Sequence, residues 1–383
     1  MSRSKIQQIF DYSWNDYLFN HNLSSEQERV GYSIMNCKTK KMGYNVSTCS
    51  DCGHTEIHNN SCRIRNCPNC QAVLKEVWID SRKSEVIDTS YYHVIFTVPA
   101  ELRPIIYTNQ ELLYSLLHKC SAESVLELSK DDKYLGAIPG IIQVLHTWGQ
   151  DLHFHPHIHS IISGGGLSKN LKLKKSRDSF FIPVNVLQTK YRKKFLILLD
   201  KLHKSGKLII PDKCKKLRNS YEWNEFRDKL YNTHWNVHIK ETFNGFGNAI
   251  EYLGRYTHRI AITNSRIISV TKTDVSFRTH NYRTGEDEII TISHEEFIRR
   301  FMLHILPSGF QKIRYYGFLN NRSKKKNLQI IFSIQRHQRY TSMLTGLSMD
   351  EILKKVWNYN IHICPCCGKS TMMNTGRVFP MRC

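Results

Sequence analysis

His153-Phe154-His155-Pro156-His157-Ile158-His159 lies where two apolar runs, IIQVLHTW (141–148) and HPHIHSII (155–162), flank the polar segment GQDLHF. Such runs read as the strands of a hairpin, which ends in Gly164-Gly165-Gly166. On a strand alternate side chains share a face, so His157 and His159 point one way and Ile158 turns to the core. Two imidazoles on one face of a rigid strand form half of a divalent-metal site. Ordinary surface histidines beside a turn are the plain alternative, and the crowding by His146, His153 and His155 argues against it. A turn centred between Asp151 and Leu152 sets His146 opposite His157 on the same face. A shifted turn offers Gln150 or Asp151 instead, whose oxygens suit Mg2+ or Mn2+. Three ligands leave coordination positions for a substrate phosphate.

Outward from the hairpin, YYHVIFTVP (91–99) reads as a strand closed by proline, and 109–129 as a helix. Residues 1–35 and 71–87 read as helical, with a cysteine-rich patch between them from Cys37 to Cys70. Downstream come a Lys-dense segment at 167–218 with a helix near 185–203, a strand around 234–242, and a helix at about 248–258. A small sheet near 266–292 and a helix near 294–304 precede a second cysteine cluster. The expected class is α+β. It comprises a helical and zinc-binding N-terminal domain (1–88), a catalytic core (89–265) with 167–218 as a basic insertion, and a C-terminal extension (266–383).

EYLGRYTHR places Tyr252 and Tyr256 four apart on the predicted helix, so both phenols share one face. Tyrosines at this spacing often line a core edge. Here Arg255, His258 and Arg259 make the helix cationic, which suits a phosphate. The combined chemistry is attack by a tyrosine oxygen on a DNA phosphodiester, giving a 5'-phosphotyrosine and a free 3'-OH that can later reseal the bond.

The charge agrees. Against 33 Asp+Glu stand 55 Lys+Arg, for a formal net charge of +22, as in a binder of phosphate backbones; an acidic membrane surface is the alternative, and no amphipathic helix stands out to support it. The N-terminus lacks the apolar core of a signal peptide and no run reaches the ~18 apolar residues of a membrane span, so a reducing cytoplasm is expected. The sequence has no GxxxxGK[ST] loop for an ATP motor of that type.

In such a compartment the 12 cysteines read as metal ligands more than disulfides. Cys49-x2-Cys52 and Cys67-x2-Cys70 are two knuckles 14 residues apart, close to a four-cysteine Zn2+ pattern. Cys37, His54, His58 and Cys62 leave a second ion or another ligand partition open. The expected task is structural, presenting Arg63 and Arg65 to DNA. His362, Cys364, Cys366, Cys367 and Cys383 are candidates for a further Zn2+ near the C-terminus. Lys174, Lys175, Lys193 and Lys194, with Tyr191 for stacking on bases, read as a groove that tracks single-stranded DNA.

HPHIH, the following GGG, HTWGQDL, YHVIFTVP and YLGRYTHR together resemble the HUH two-tyrosine transposases of rolling-circle insertion sequences, the insertion-sequence ninety-one type. NSCRIRNCPNCQ resembles the zinc-binding front end of that family, and EFIRRFMLHILPSGFQKIRYYGFL its later part. The resemblance implies metal ligands at His157 and His159, nucleophiles at Tyr252 and Tyr256, and preference for His146 over Gln150 as third ligand. It also implies a five-stranded antiparallel sheet with the histidines on a central strand. The implied substrate is single-stranded DNA at the ends of a mobile element, opened by a host helicase or replication machinery. A rolling-circle replication initiator or relaxase shares this chemistry. A non-catalytic zinc-finger DNA-binding protein would use HPHIH structurally.

Overall fold

A computed structural model describes residues 3–176, 180–243, 254, 260–281, 284–336 and 339–380, with backbone alone at 240–243. Its strands are β1 (Tyr44–Cys49), β2 (Thr55–Asn59), β3 (Tyr91–Thr97), β4 (Ile138–Trp148), β5 (Phe154–Leu167), β6 (Leu173–Lys175), β7 (Val237–Phe243), β8 (Ile267–Val270), β9 (Asp274–Asn281), β10 (Glu286–Ser293), β11 (Ile313–Gly317) and β12 (Met372–Val378). Every described pairing is antiparallel, and helices cover the sheets, so the class is α+β.

The central sheet runs β11-β4-β5-β3-β7, with short β6 added beside β5. The histidine strand β5 is therefore flanked on both sides. Alternation then sorts its residues. Ile158 and Ile162 join Tyr92, Val94, Phe96, Ile141 and Leu145 in one apolar face, packed beneath helices Gln110–Ser129 and Val184–Lys204. The opposite face carries Ile142, Val144 and Ile161, covered by Ile79 of helix Ala72–Lys83 and by Leu328 and Ile331 of helix Lys324–Gln335. His146, His157 and His159 continue this second face towards the β4–β5 turn.

Within segment 167–218 one helix face belongs to the core. Leu187, Tyr191, Phe195, Leu196 and Leu199 recur at helical spacing and form a buried stripe of helix Val184–Lys204. Tyr191 has 0% exposure and meets Phe96 and Trp235 edge-on, so its ring cannot stack on bases.

Helices Lys5–Asn20 and Ser25–Asn36 each begin with a capping box, Ser4/Gln7 and Ser24/Gln27. Ile6, Ile9, Phe10 and Trp14 make one apolar face of the first. That face packs with Val275 and Phe277 of β9 and with Phe297 and Phe301 of helix His294–Met302. Elements of the C-terminal extension 266–383 thus pack against different parts of the chain. β8–β10 and this helix join the N-terminal helices, β11 pairs with β4 in the central sheet, and β12 pairs with β1.

Candidate active site

β4 and β5 pair with His146 opposite His157 as expected, although the turn itself is centred on Asp151, where Trp148 pairs with Phe154. Between the pairs His146/His157 and Trp148/Phe154 the register slips, with one more residue on β5 than on β4. Pro156, which has no N–H for the ladder, lies in this bulge. Beyond it the side chains of His146, His157 and His159 bring one ligand nitrogen each to within 4.8 Å of the others.

The hydrogen bonds aim these nitrogens. His157 Nδ1 lies 2.6 Å from the His155 carbonyl and can only donate to it, which leaves the Nε2 lone pair facing inward. That Nε2 is 3.0 Å from His159 Nε2. Two nitrogens about 2.1 Å from one ion at a right angle stand roughly 3.0 Å apart, so the pair fits a shared divalent cation. His159 Nδ1 is in turn 2.8 Å from Nε2 of His93, a buried residue of β3. His146 stacks on Trp148 with ring centroids 4.5 Å apart.

The histidines open onto a cavity of about 960 Å3. Its other walls include Thr97 and Arg103, His238 of β7, and Thr279, His280 and Glu288 of the β9–β10 hairpin. Arg103 is 2.8 Å from His155 Nδ1. Burial, with help from the Arg103 guanidinium, draws His155 down to about 4, so it stays neutral and accepts from the arginine. A cation is thereby oriented at the rim of the cavity. Asp151, the alternative ligand, accepts from the His153 backbone N–H and lies 2.7 Å from the His153 ring. The Gln150 carbonyl accepts from Arg266.

Tyr252, Tyr256, Arg255, His258 and Arg259 lie outside the described residues. Gly254, between the tyrosines in sequence, is described, helical and buried. A Cβ there would stand 2.3 Å from Ile79 Cδ1, so its backbone packs directly on helix Ala72–Lys83, over the histidine-bearing face of the sheet.

The cysteines sort differently from their spacing. Cys67 and Cys70 gather with Cys37 and Cys62, while Cys49 and Cys52 gather with Cys364 and Cys367. The two knuckles read as one site therefore belong to separate clusters, because β1 carries Cys49 and Cys52 towards β12 and away from Cys67. In the first cluster the Cys67 thiol is pushed far up by the Cys37, Cys62 and Cys70 sulfurs and by burial. Four thiolates so placed need a cation, and the set suits structural Zn2+. His54 joins neither group; its ring lies 3.9 Å from Glu56.

Several basic residues have structural partners. Arg65 donates to the carbonyls of Leu306, Pro307 and Phe310 at 3.2, 2.8 and 2.6 Å, so its guanidinium is engaged within the fold. Lys174 pairs with Asp132, Lys175 with Asp88, and Lys194 with Glu123 and Glu127. Arg63 and Lys193 are exposed. His93 and Arg103 were missed in the sequence. His93 did carry a signal, as a polar residue inside an apolar strand, but only strand order puts it beside β5. Arg103 carried none.

A family model described as "Putative transposase" matches residues 140–327. One described as "Transposase zinc-binding domain" matches residues 9–98. "Putative transposase y4qJ" of Sinorhizobium fredii is 40% identical over 333 residues, which is 86% of this chain and 84% of that protein. "Transposase for insertion sequence element IS801" of Pseudomonas savastanoi pv. phaseolicola is 29% identical over 300 residues, 76% of this chain and 69% of that protein. No solved structure matches. The first matched segment contains all three clustered histidines; the second contains Cys37 to Cys70 but not Cys364 or Cys367.

Proposed function

Since this chain belongs to the transposase family of IS91-type insertion sequences, we propose that it cuts and rejoins single-stranded DNA at the ends of a mobile element. The observation that carries the reading is the convergence of His146, His157 and His159 on one rigid sheet face beside a large cavity with a cationic rim.

The nucleophiles are Tyr252 and Tyr256. A tyrosine oxygen forms a bond to the scissile phosphorus as the bond from phosphorus to the 3'-oxygen breaks, and that oxygen leaves as a 3'-OH after taking a proton. Bond energy is kept in the 5'-phosphotyrosine, so a later 3'-OH reverses the exchange and reseals the strand. His146, His157 and His159 would hold Mg2+ or Mn2+, which would supply Lewis acidity at the site. Arg103 binds the phosphate from the rim, and His93 fixes the tilt of His159. The second tyrosine permits a second strand to be cut before the first is released.

A requirement for in-line attack supports a single-stranded substrate. In-line attack tolerates little misplacement, and a single strand bends into the site where a regular duplex does not. Strand separation is left to host machinery acting at the nucleoid of a prokaryotic cell. The test compares one element end as single strand, hairpin and linear duplex, without ATP or helicase. Covalent adduct should form with the first two, Tyr256→Phe should remove at least one cleavage step, and Tyr252→Phe should impair strand transfer more than the first nick. Normal adducts from the double Phe variant, or equal cutting of all three substrates, would overturn the proposal.

A further inference from the structure

The second cysteine cluster is built from the two ends of the chain. Cys49 ends β1 and Cys52 follows it, while Cys364 and Cys367 precede β12, and β12 pairs with β1 from Tyr44↔Val378 to Cys49↔Met372. The strand pairing therefore delivers both knuckles to the same end of one small sheet.

The two knuckles have the same backbone design. Cys49-Ser50-Asp51-Cys52-Gly53-His54 matches Cys364-Pro365-Cys366-Cys367-Gly368-Lys369 position by position. In one, the Cys49 N–H donates to the His54 carbonyl at 2.8 Å and Gly53 donates back to Cys49 at 3.0 Å. In the other, Cys364 donates to Lys369 at 2.8 Å and Gly368 donates to Cys364 at 2.9 Å. Both glycines sit at positive φ, 71° and 73°, where a side chain would be strained. Each turn holds its two sulfurs on one side, facing the other turn.

The sulfur spacing fits a tetrahedral metal ion. Cys49 Sγ and Cys367 Sγ are 3.7 Å apart, as are Cys52 Sγ and Cys364 Sγ. A disulfide needs about 2.05 Å, so these are not bonded pairs. Sulfurs ~2.3 Å from a tetrahedral zinc stand roughly 3.8 Å apart along each edge. We infer that Cys49, Cys52, Cys364 and Cys367 hold a second structural Zn2+, which clasps the C-terminal strand onto the N-terminal zinc domain. The domain is then incomplete without residues more than 300 positions downstream in the chain. Half of this site lies outside the segment 9–98 that matches a zinc-binding domain.

Cysteine alkylation of the full-length, zinc-loaded protein tests this, with labelled positions mapped by mass spectrometry. Cys52 and Cys366 are both exposed, so burial cannot distinguish them. Cys366 should label quickly, and Cys52 should label only after a chelator strips the metal, together with its three partners. Cys364→Ser should release one zinc ion per chain and make Cys49 and Cys52 reactive, while Cys37, Cys62, Cys67 and Cys70 stay protected. Labelling of Cys52 as fast as Cys366 in the loaded wild type would overturn the inference, and so would unchanged zinc content in a folded Cys364→Ser protein. The wild-type pattern decides the matter even where the variant folds poorly.

Discussion

His93 Nε2 lies 2.8 Å from His159 Nδ1, and the two rings stack with centroids 5.0 Å apart and planes 10° from parallel. His93 is on β3 and His159 on β5, diagonal neighbours on one sheet face, since His159 pairs with Ile95. With His159 Nδ1 so engaged, its Nε2 faces His157. This is how a ligand histidine is oriented from behind, and losing such a partner typically weakens metal affinity 10–100-fold.

His93→Phe should therefore raise the metal concentration needed for half-maximal cleavage by roughly 10–100-fold. Saturating metal should restore most of the rate, and DNA binding should not change. His93→Gln, which keeps a polar partner, should fall between. A metal titration of cleavage decides it. An unchanged midpoint would mean that His93 only packs the sheet.

Arg65 separates a structural arginine from a phosphate contact. Its three carbonyl partners follow the last turn of helix His294–Met302, and they tie the zinc domain to the approach to β11. Arg65→Ala should destabilise the protein by roughly 2–4 kcal/mol, as expected for partly buried charge-assisted bonds. The salt dependence of DNA binding should keep its slope, whereas loss of a true phosphate contact would lower it by about one. Thermal unfolding and binding at several salt concentrations measure both.

Asp80, on helix Ala72–Lys83, accepts from Tyr340, Ser342 and the N–H groups of Met343 and Leu344. Burial by itself would raise its pKa. The donors, Ser342 foremost, outweigh burial and hold it below its unfolded value of 3.8. A depressed carboxylate contributes stability that is complete above the unfolded pKa and lost as pH falls through the folded one. Asp80→Asn should thus cost about 1–3 kcal/mol near neutrality. The gap between wild-type and variant melting temperatures should stay constant down to about pH 4 and close below it. A gap that persists in acid would assign the loss to shape rather than charge.

The contact of Gly254 with Ile79 predicts a non-additive pair. An added Cβ would meet Ile79 Cδ1 at 2.3 Å and Cγ1 at 2.4 Å, closer than side chains approach. Gly254→Ala should cost about 1–3 kcal/mol as overpacking. In a double-mutant cycle with Ile79→Ala, the combined loss should be smaller than the sum. Cleavage should fall with Gly254→Ala and recover in part in the double variant, because Gly254 lies between the two tyrosines in sequence. Additive losses would show that the contact does not set the position of this segment.

Much of the histidine face was legible because its rules are local. A strand's period of two puts His157 and His159 on one side whatever surrounds them. His146 stands opposite His157 as expected, but the bulge at His155-Pro156 sets that register, since the turn itself pairs Trp148 with Phe154. The helices near 109–129, 185–203 and 294–304 also followed from apolar spacing. Residue type misled where its use depends on distant partners. Arg65 and Tyr191 suit DNA by composition, yet one meets three carbonyls and the other a buried aromatic cluster.

The cysteines mark the boundary between the two kinds of information. Each C-x2-C turn is local, and sequence alone determined that Cys49 with Cys52, and Cys67 with Cys70, would present paired sulfurs. Spacing along the chain then favoured joining these two neighbouring knuckles. The tertiary structure decided otherwise, since a tetrahedral ion selects ligands by distance in space, and the pairing of β1 with β12 brings Cys364 and Cys367 nearer to Cys49 and Cys52 than Cys67 and Cys70 are.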